Sequence, residues 1–224
     1  MVAAFFSSPF NDIKKITGTQ NILKKLIEHV DDWPQEISNG TVLVIVKFLD
    51  YALDTIGNNP SAVDAFMYRL LHSADYSMAK FSVKHFIDFF RGLKKIETIL
   101  AGVDMPANFK IHIDRIGHLI NAVEPFRQMA AIEKDENVPQ HKSLYFAASV
   151  RGNYKKDVQE LIEIYSRLDA WYSMAFAVKK YNLHFPEFIE SDQPFIEARG
   201  LYHLLLHNPV PYHLQMSPEH NFLF

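Results

Sequence analysis

The most regular apolar pattern in this sequence runs from Lys155 to Tyr181. Apolar side chains recur here at the spacing that places them on one face of an α-helix. They are Val158, Leu161, Ile162, Tyr165, Leu168, Tyr172 and Phe176. The pattern predicts a single helix about 40 Å long, and a helix with such a stripe packs it against neighbouring elements. We therefore expect a fold built around long helices.

Further segments repeat this pattern between Pro and Gly turns. Apolar spacing predicts a helix from Asp12 to Val30, interrupted near Gly18, and another from Met78 to Leu100. A third begins at Pro106 and should be kinked or ended by Pro125. The sequence therefore indicates a bundle of several long helices.

The segment from Thr41 to Leu49 is ambiguous, because its β-branched residues also suit a buried strand. Helical spacing continues at Leu53 and Ile56, and an isolated strand is unfavourable. We predict a buried helix here.

Two other stretches have a clear pattern, one in the spacing of its apolar residues and one in its polar composition. Phe66, Leu70 and Leu71 form a further helical stripe, whereas the polar, charged segment from Glu133 to His141 predicts a surface loop or hairpin. An aromatic group in the helix that follows the stripe suits core packing better than base stacking, because its spacing is helical. Its members are Phe81, Phe86, Phe89 and Phe90.

The composition and net charge of the chain limit which functions it can have. Hydrophobic residues make up 48% of the 224 residues, including 18 Phe, which is ample for a sizeable core. The net charge of −3 provides no general attraction to nucleic acid, so any DNA contact needs a local basic patch. The absence of cysteine excludes disulfides and thiolate metal sites. No apolar run is long enough for a bilayer and the start lacks a charged leader, so we expect a soluble, cytoplasmic protein.

The C-terminal stretch from Phe195 to Phe224 looks like a connector, a loop and one apolar strand at Asn221–Phe224. A strand without a partner cannot satisfy its backbone hydrogen bonds. We therefore expect the chain to stop where a second domain begins.

This stretch resembles the junction between the helical core and the ATPase of MutS-type DNA mismatch repair proteins. The matching residues are Glu197-Ala198-Arg199, His203, Asn208-Pro209-Val210-Pro211 and the strand Asn221–Phe224. The run from Leu168 to Ala175 is similar to the family's helix that precedes the junction. His203 is followed by Leu204, where the family usually has proline.

The resemblance implies an all-α fold: a helical core or lever domain over residues 1–182, then a connector and the first strand of a missing ATPase domain over 183–224. The connections between the long helices are short, so we expect no full clamp domain. The implied function is a lever that couples the state of an ATPase to DNA engagement. The alternative is a helical protein-binding scaffold unrelated to ATPase function.

The resemblance also implies partners and cofactors for a longer parent protein: ATP and Mg²⁺, double-stranded DNA and a second copy of the parent. By position, Pro209 and Val210 would form part of a platform for adenine. Neither Gly-rich phosphate-binding pattern occurs among the 8 glycines, so we predict that this chain is not itself an enzyme and holds no catalytic residue or cofactor.

Three other features could carry chemistry. His203 and His207 have a metal-pair spacing, but in a chain with 11 histidines we expect surface residues and no metal site. Asp169 lies within the apolar stripe, and we expect it to bind backbone or an arginine across the bundle. The basic dipeptides at 14/15, 24/25, 94/95, 155/156 and 179/180 are predicted to be solvated faces. If some converge in space, they could contact duplex phosphates.

Overall fold

The computed structural model describes residues 11–53, 56–57, 59–133 and 137–219. These residues form eight α-helices, one short 3₁₀ turn and a two-stranded antiparallel sheet. The helices are α1 (Asn11–Leu26), α2 (Asn39–Asp50), α3 (Ala62–Leu71), α4 (Ser73–Leu100), α5 (Ala107–Ala122), α6 (Glu124–Ala130), α7 (Gln140–Arg151) and α8 (Lys155–Tyr181). The 3₁₀ turn is Ile27–His29, and the strands are β1 (Ile196–Leu201) and β2 (Tyr212–Met216). The all-α prediction is therefore confirmed for the main body of the chain.

Local sequence signals set the helix ends. Ser61 begins α3 with a reciprocal capping box, in which its hydroxyl accepts from the backbone N–H of Asp64 and the Asp64 carboxylate accepts from the backbone N–H of Ser61. Ser38 caps α2 by accepting from the backbone N–H of Thr41 at 3.1 Å. Asn182 ends α8 in the left-handed conformation, at φ 50°.

Helix α4 is the centre of the bundle and packs against α2, α3, α5, α6 and α7. Its fully buried side chains include Phe86, Phe89, Phe90 and Leu93. Phe90 stacks on Phe126 of α6, with ring centroids 4.4 Å apart. The core-packing interpretation is confirmed for these three phenylalanines. Phe81 is exposed, so for this residue the interpretation is wrong.

Most helix predictions agree with the structure. Helix α8 has the predicted bounds, and the ambiguous segment is helical as predicted, although α2 ends at Asp50 rather than continuing to Ile56. Gly18 lies inside an uninterrupted α1. Pro125 ends one helix and begins the next, because proline is well suited to the first turn of α6.

Two helices differ from their predicted behaviour. Helix α7 has no one-sided apolar stripe in the sequence, because it lies between α2, α3, α4 and α8 and buries residues on several sides. Its start at Gln140 falls within the segment that was interpreted as a loop, of which residues 134–136 lie outside the described part. The stripe on α3 is exposed rather than packed: Phe66, Leu70 and Leu71 all face solvent.

The C-terminal segment contains a β-hairpin where the sequence predicted a connector and loop. Ile196 pairs with Met216 and Ala198 with Leu214, so each strand satisfies part of its backbone through the other. The sequence prediction failed because neither strand shows clear apolar alternation and both are largely exposed. The predicted strand at Asn221–Phe224 lies outside the described residues. Within the described ranges, no helix is both long and apolar enough to cross a membrane.

Candidate functional site

The connection between the 3₁₀ turn and α2, residues 31–38, clamps the middle of α8. Trp33 stacks on Tyr172 with ring centroids 4.7 Å apart and an interplanar angle of 12°. The Tyr165 hydroxyl donates to the backbone carbonyl of Ile37 at 3.1 Å. Burial is the main cause that raises the pKa of Tyr165, so this hydroxyl stays a donor at neutral pH. We call residues 31–38 the clamp segment.

The same segment also contacts α4 and the end of α8. Ile37 lies directly over Gly92, and Lys95 of α4 forms an ion pair with Glu36. Lys179, in the last turn of α8, forms an ion pair with Asp31 at 2.7 Å. The clamp segment therefore joins α4 to α8 at several points.

Asp169 does not make the contact expected from the sequence. It is half-buried, and its carboxylate lies 3.5 Å from the hydroxyl of Tyr165, one turn earlier on the same helix. The bond across the bundle is made by Tyr165, not by Asp169. Sequence reasoning chose the charged residue as the cross-bundle group, but the neutral phenol does this at a much smaller desolvation cost.

The hairpin is connected to the helices at the C-terminal end of α8. The Tyr202 hydroxyl, just after β1, donates to the backbone carbonyl of Tyr181 at 2.9 Å. The chain between α8 and β1 is held against α1, because Gln20 donates to the carbonyl of Pro186 at 3.2 Å and Lys24 lies over the ring of Phe185 at 5.6 Å. These contacts form the junction between the helical bundle and the hairpin.

Of the described residues that carry the sequence resemblance, those between 197 and 211 lie on or beside the hairpin strands, and those from 168 to 175 lie in α8. Glu197 and Arg199 are on β1 and form an ion pair with each other at 2.8 Å. Pro209 and Val210 lie in the loop that leads into β2. Pro209 is half-buried, and the Val210 side chain is 82% exposed. An exposed apolar side chain beside a proline can cover a flat ring.

The two candidate metal-binding histidines do not share a helix face. Residues 202–210 form turns and bends rather than a helix, so the spacing of His203 and His207 does not align their rings. The His203 Nδ1 atom accepts a hydrogen bond from the backbone N–H of Leu205 at 3.2 Å, so its lone pair is not free to bind a metal ion. The described residues contain no group of three or more His, Asp or Glu placed to hold a metal ion.

In three of the basic dipeptides that the structure describes, at least one lysine pairs with an acidic side chain. Lys94 pairs with Glu97 at 2.8 Å, and Lys155 pairs with Asp50 at 2.8 Å, which joins the start of α8 to the end of α2. Lys95 and Lys179 make the clamp-segment contacts given above. These lysines are occupied by acidic partners and are therefore poor candidates for phosphate contacts.

A second group of basic residues lies close together in the fold although no two of them are adjacent in the sequence. Arg69 of α3 and Lys80 and Lys84 of α4 line an open groove of about 600 Å³ together with Tyr76 and Phe81. Within the described part of the chain Lys80 and Lys84 form no ion pair, and Arg69 lies over the ring of Tyr76 at 5.9 Å. The available signal was the four-residue spacing of the two lysines, which puts them on one helix face. We call this feature the basic groove.

Comparison with known proteins gives no relative: no family model, curated protein or solved structure matches this chain.

Proposed function

We propose that this chain is the helical lever core of a larger, MutS-like, ATP-dependent DNA-binding protein. In this proposal, the helices transmit the nucleotide state of an ATPase to the part of the protein that engages DNA. The observation that carries it is the junction: Glu197, Ala198 and Arg199 of the resemblance lie on a small β unit that follows α8, and Pro209 and Val210 lie in its loop. Tyr202 and Tyr181 join the two.

The attachment of α8 supports a lever role. Its 27 residues give a length of about 40 Å. Lys155 holds its start to α2, and Lys179 holds its end to the clamp segment. A displacement applied at the hairpin would therefore be carried along α8 to both ends of the bundle. Allosteric coupling of this kind requires two discrete arrangements of these packed elements.

In the longer parent, nucleotide would bind beyond the hairpin. ATP with Mg²⁺ would need a phosphate loop, which this sequence does not contain. By their position in the resemblance, Pro209 and Val210 would cover the adenine ring. Two prolines flank Val210, and they restrict the backbone of this loop.

The DNA-engaging part is assigned to the basic groove. Arg69, Lys80 and Lys84 converge on one open groove, and within the described residues none of the three forms an ion pair. Lysine and arginine side chains that contact phosphates position a protein on duplex DNA without reading its sequence. We therefore expect binding without base preference.

The first test is the coding sequence immediately after Phe224. The proposal predicts a Gly-rich stretch ending in Gly-Lys-Ser or Gly-Lys-Thr within about a dozen residues. A stop codon, or a continuation without such a loop, would refute the link to an ATPase.

The second test measures duplex affinity against salt concentration by fluorescence anisotropy. Replacing both Lys80 and Lys84 by Gln should weaken binding and reduce the slope of log affinity against log salt by about two. The matched control replaces Lys47 and Lys110, two exposed lysines on α2 and α5, by Gln. Equal effects from both pairs would mean that the groove has no special role.

The coupling itself can be tested in the parent protein with a single hydroxyl. Tyr202→Phe removes the bond to Tyr181 and should reduce the effect of ATP on duplex affinity. Tyr212→Phe, on the neighbouring strand, is the matched control. Coupling that survives Tyr202→Phe unchanged would remove this junction from the mechanism.

A helical protein-binding scaffold is the second candidate, and the exposed apolar face of α3 favours it. A chain of this kind would show no affinity for duplex DNA at any salt concentration. The salt titration therefore separates the two functions.

A further inference from the structure

Helix α3 presents its apolar side chains to solvent. Five of its residues are between 44% and 70% exposed and follow the spacing of a helix–helix seam. They are Val63, Phe66, Met67, Leu70 and Leu71. The opposite side of the helix is buried, with Ala65 fully covered. We call the five exposed residues the apolar ridge.

The ridge has the area of a candidate binding surface. Its exposed fractions amount to about three fully exposed large apolar residues, on the order of 500 Å². This is as large as the largest apolar patch on a typical soluble monomer, and such patches are often functional. Two such ridges packed together would remove on the order of 1,000 Å² from water, which is the size of a weak, specific protein interface.

The charges near the ridge indicate what kind of partner it fits. Neither charged side chain of α3 occupies it: Arg69 lies over Tyr76 of α4, and Asp64 is held by the Ser61 cap. The ridge itself carries no charge that would attract a polyanion, and the cation of α3, Arg69, lines the basic groove instead. Two copies would meet without electrostatic repulsion, and their matching helical spacing lets each ridge pack against the other.

We propose that the apolar ridge is a self-association surface, at which α3 of one copy packs against α3 of a second copy across a two-fold axis. Such an interface is isologous and closes at a dimer. Because the interface is at the small end for specific complexes, we expect a weak dimer, with a dissociation constant in the micromolar range. This proposal does not depend on the proposed lever function, because it concerns a different surface and a different measurement.

Sedimentation velocity of the whole chain over a range of concentrations tests the proposal. The unaltered chain should form dimers, and Leu70→Glu should raise the dimer dissociation constant by at least about 100-fold, because each interface buries the change twice. The matched control is Ile111→Glu on α5, where the original side chain is 63% exposed, and it should leave dimerisation unchanged. A chain that remains monomeric at about 100 µM, or a dimer that survives Leu70→Glu, would overturn the proposal.

Cysteine cross-linking gives a second measurement that does not rely on a disruptive change. The chain has no cysteine, so Met67→Cys introduces a single thiol near the centre of the ridge. Mild oxidation should convert it to a disulfide-linked dimer, whereas Ile111→Cys should stay monomeric on a non-reducing gel. Equal cross-linking of the two variants would indicate random collision and count against an α3 interface.

Discussion

Gly92 allows a sharp test of how the clamp segment is held, because its position in α4 has no room for a side chain. A Cβ atom added there would lie 2.5 Å from Cγ1 and 2.8 Å from Cδ1 of Ile37. Ile37 is itself buried, at 7% exposure, so it has little freedom to move aside. Gly92→Ala therefore has two opposing effects on the free energy of unfolding: alanine has the higher helix propensity, and its Cβ clashes with Ile37.

The magnitude follows from comparing those effects. Alanine in place of glycine inside a helix stabilises the folded state by about 1 kcal/mol. Overpacking a closely packed site costs about 1–3 kcal/mol, and moving Ile37 also stretches its bond with Tyr165, which is worth about 1 kcal/mol. We expect the unfavourable effects to win, with a net loss of about 1–2 kcal/mol in the free energy of unfolding.

Urea denaturation followed by circular dichroism measures this difference. The control is the same substitution at Gly18, inside α1, where an added Cβ meets nothing within 4 Å. Gly18→Ala should stabilise the protein by up to about 1 kcal/mol. If Gly92→Ala were as stable as the unaltered chain or more so, the close contact between the clamp segment and α4 would be refuted.

A double variant separates steric conflict from other causes. Ile37→Ala removes both atoms that an added Cβ would meet. Alone it should cost about 2–5 kcal/mol as a core truncation. In the Gly92→Ala background its cost should fall by about 1 kcal/mol or more, because the new methyl group then fills space instead of clashing.

Three further outcomes are expected from single changes. Tyr165→Phe leaves the buried carbonyl of Ile37 without its donor. It should therefore lower the free energy of unfolding, measured by urea denaturation, by about 1 kcal/mol or more. The hydrogen bond from Arg115 lowers the pKa of Glu160, so this ion pair stabilises the fold at neutral pH and its contribution disappears as the pH falls through the pKa of Glu160 in the folded state. Glu160→Gln should therefore flatten the acid side of a stability–pH curve, by less than about 1 kcal/mol because both groups are partly exposed. Ser61→Ala should cost about 1 kcal/mol in thermal unfolding through loss of the cap of α3.

The elements that the sequence predicted well are those with a strong one-sided pattern. Helix α8 was predicted with its full bounds, because its apolar stripe is long and regular. Helix α2 was predicted despite its β-branched residues, although Leu53 and Ile56, whose spacing supported the prediction, lie beyond its end at Asp50. Tertiary packing decides such cases, and a stripe is its signature in the sequence.

The elements that the sequence missed are those whose environment is set by distant residues. Helix α7 is covered on several sides and so shows no stripe. The hairpin strands depend on each other across a long loop, and nothing within either strand indicates its partner. The exposed side of α3 has the same pattern as a core-facing helix, because periodicity indicates that a face is apolar but not what covers it.

The candidate site also depends on contacts between distant residues, and the clamp segment shows this most clearly. The sequence predicts only that a helix ends at Val30, just before this segment, yet Trp33, Glu36 and Ile37 each contact a different part of α4 or α8. Burial works to raise the pKa of Glu36, and the hydrogen bond and charge of Lys95 outweigh it and lower that pKa. In the proposed lever, a shift of α8 must displace this segment, which is packed without free space against Gly92. A lever held this tightly switches between discrete packings rather than bending, so Gly92→Ala should alter the coupling of ATP to DNA in the parent as well as the stability of the fold.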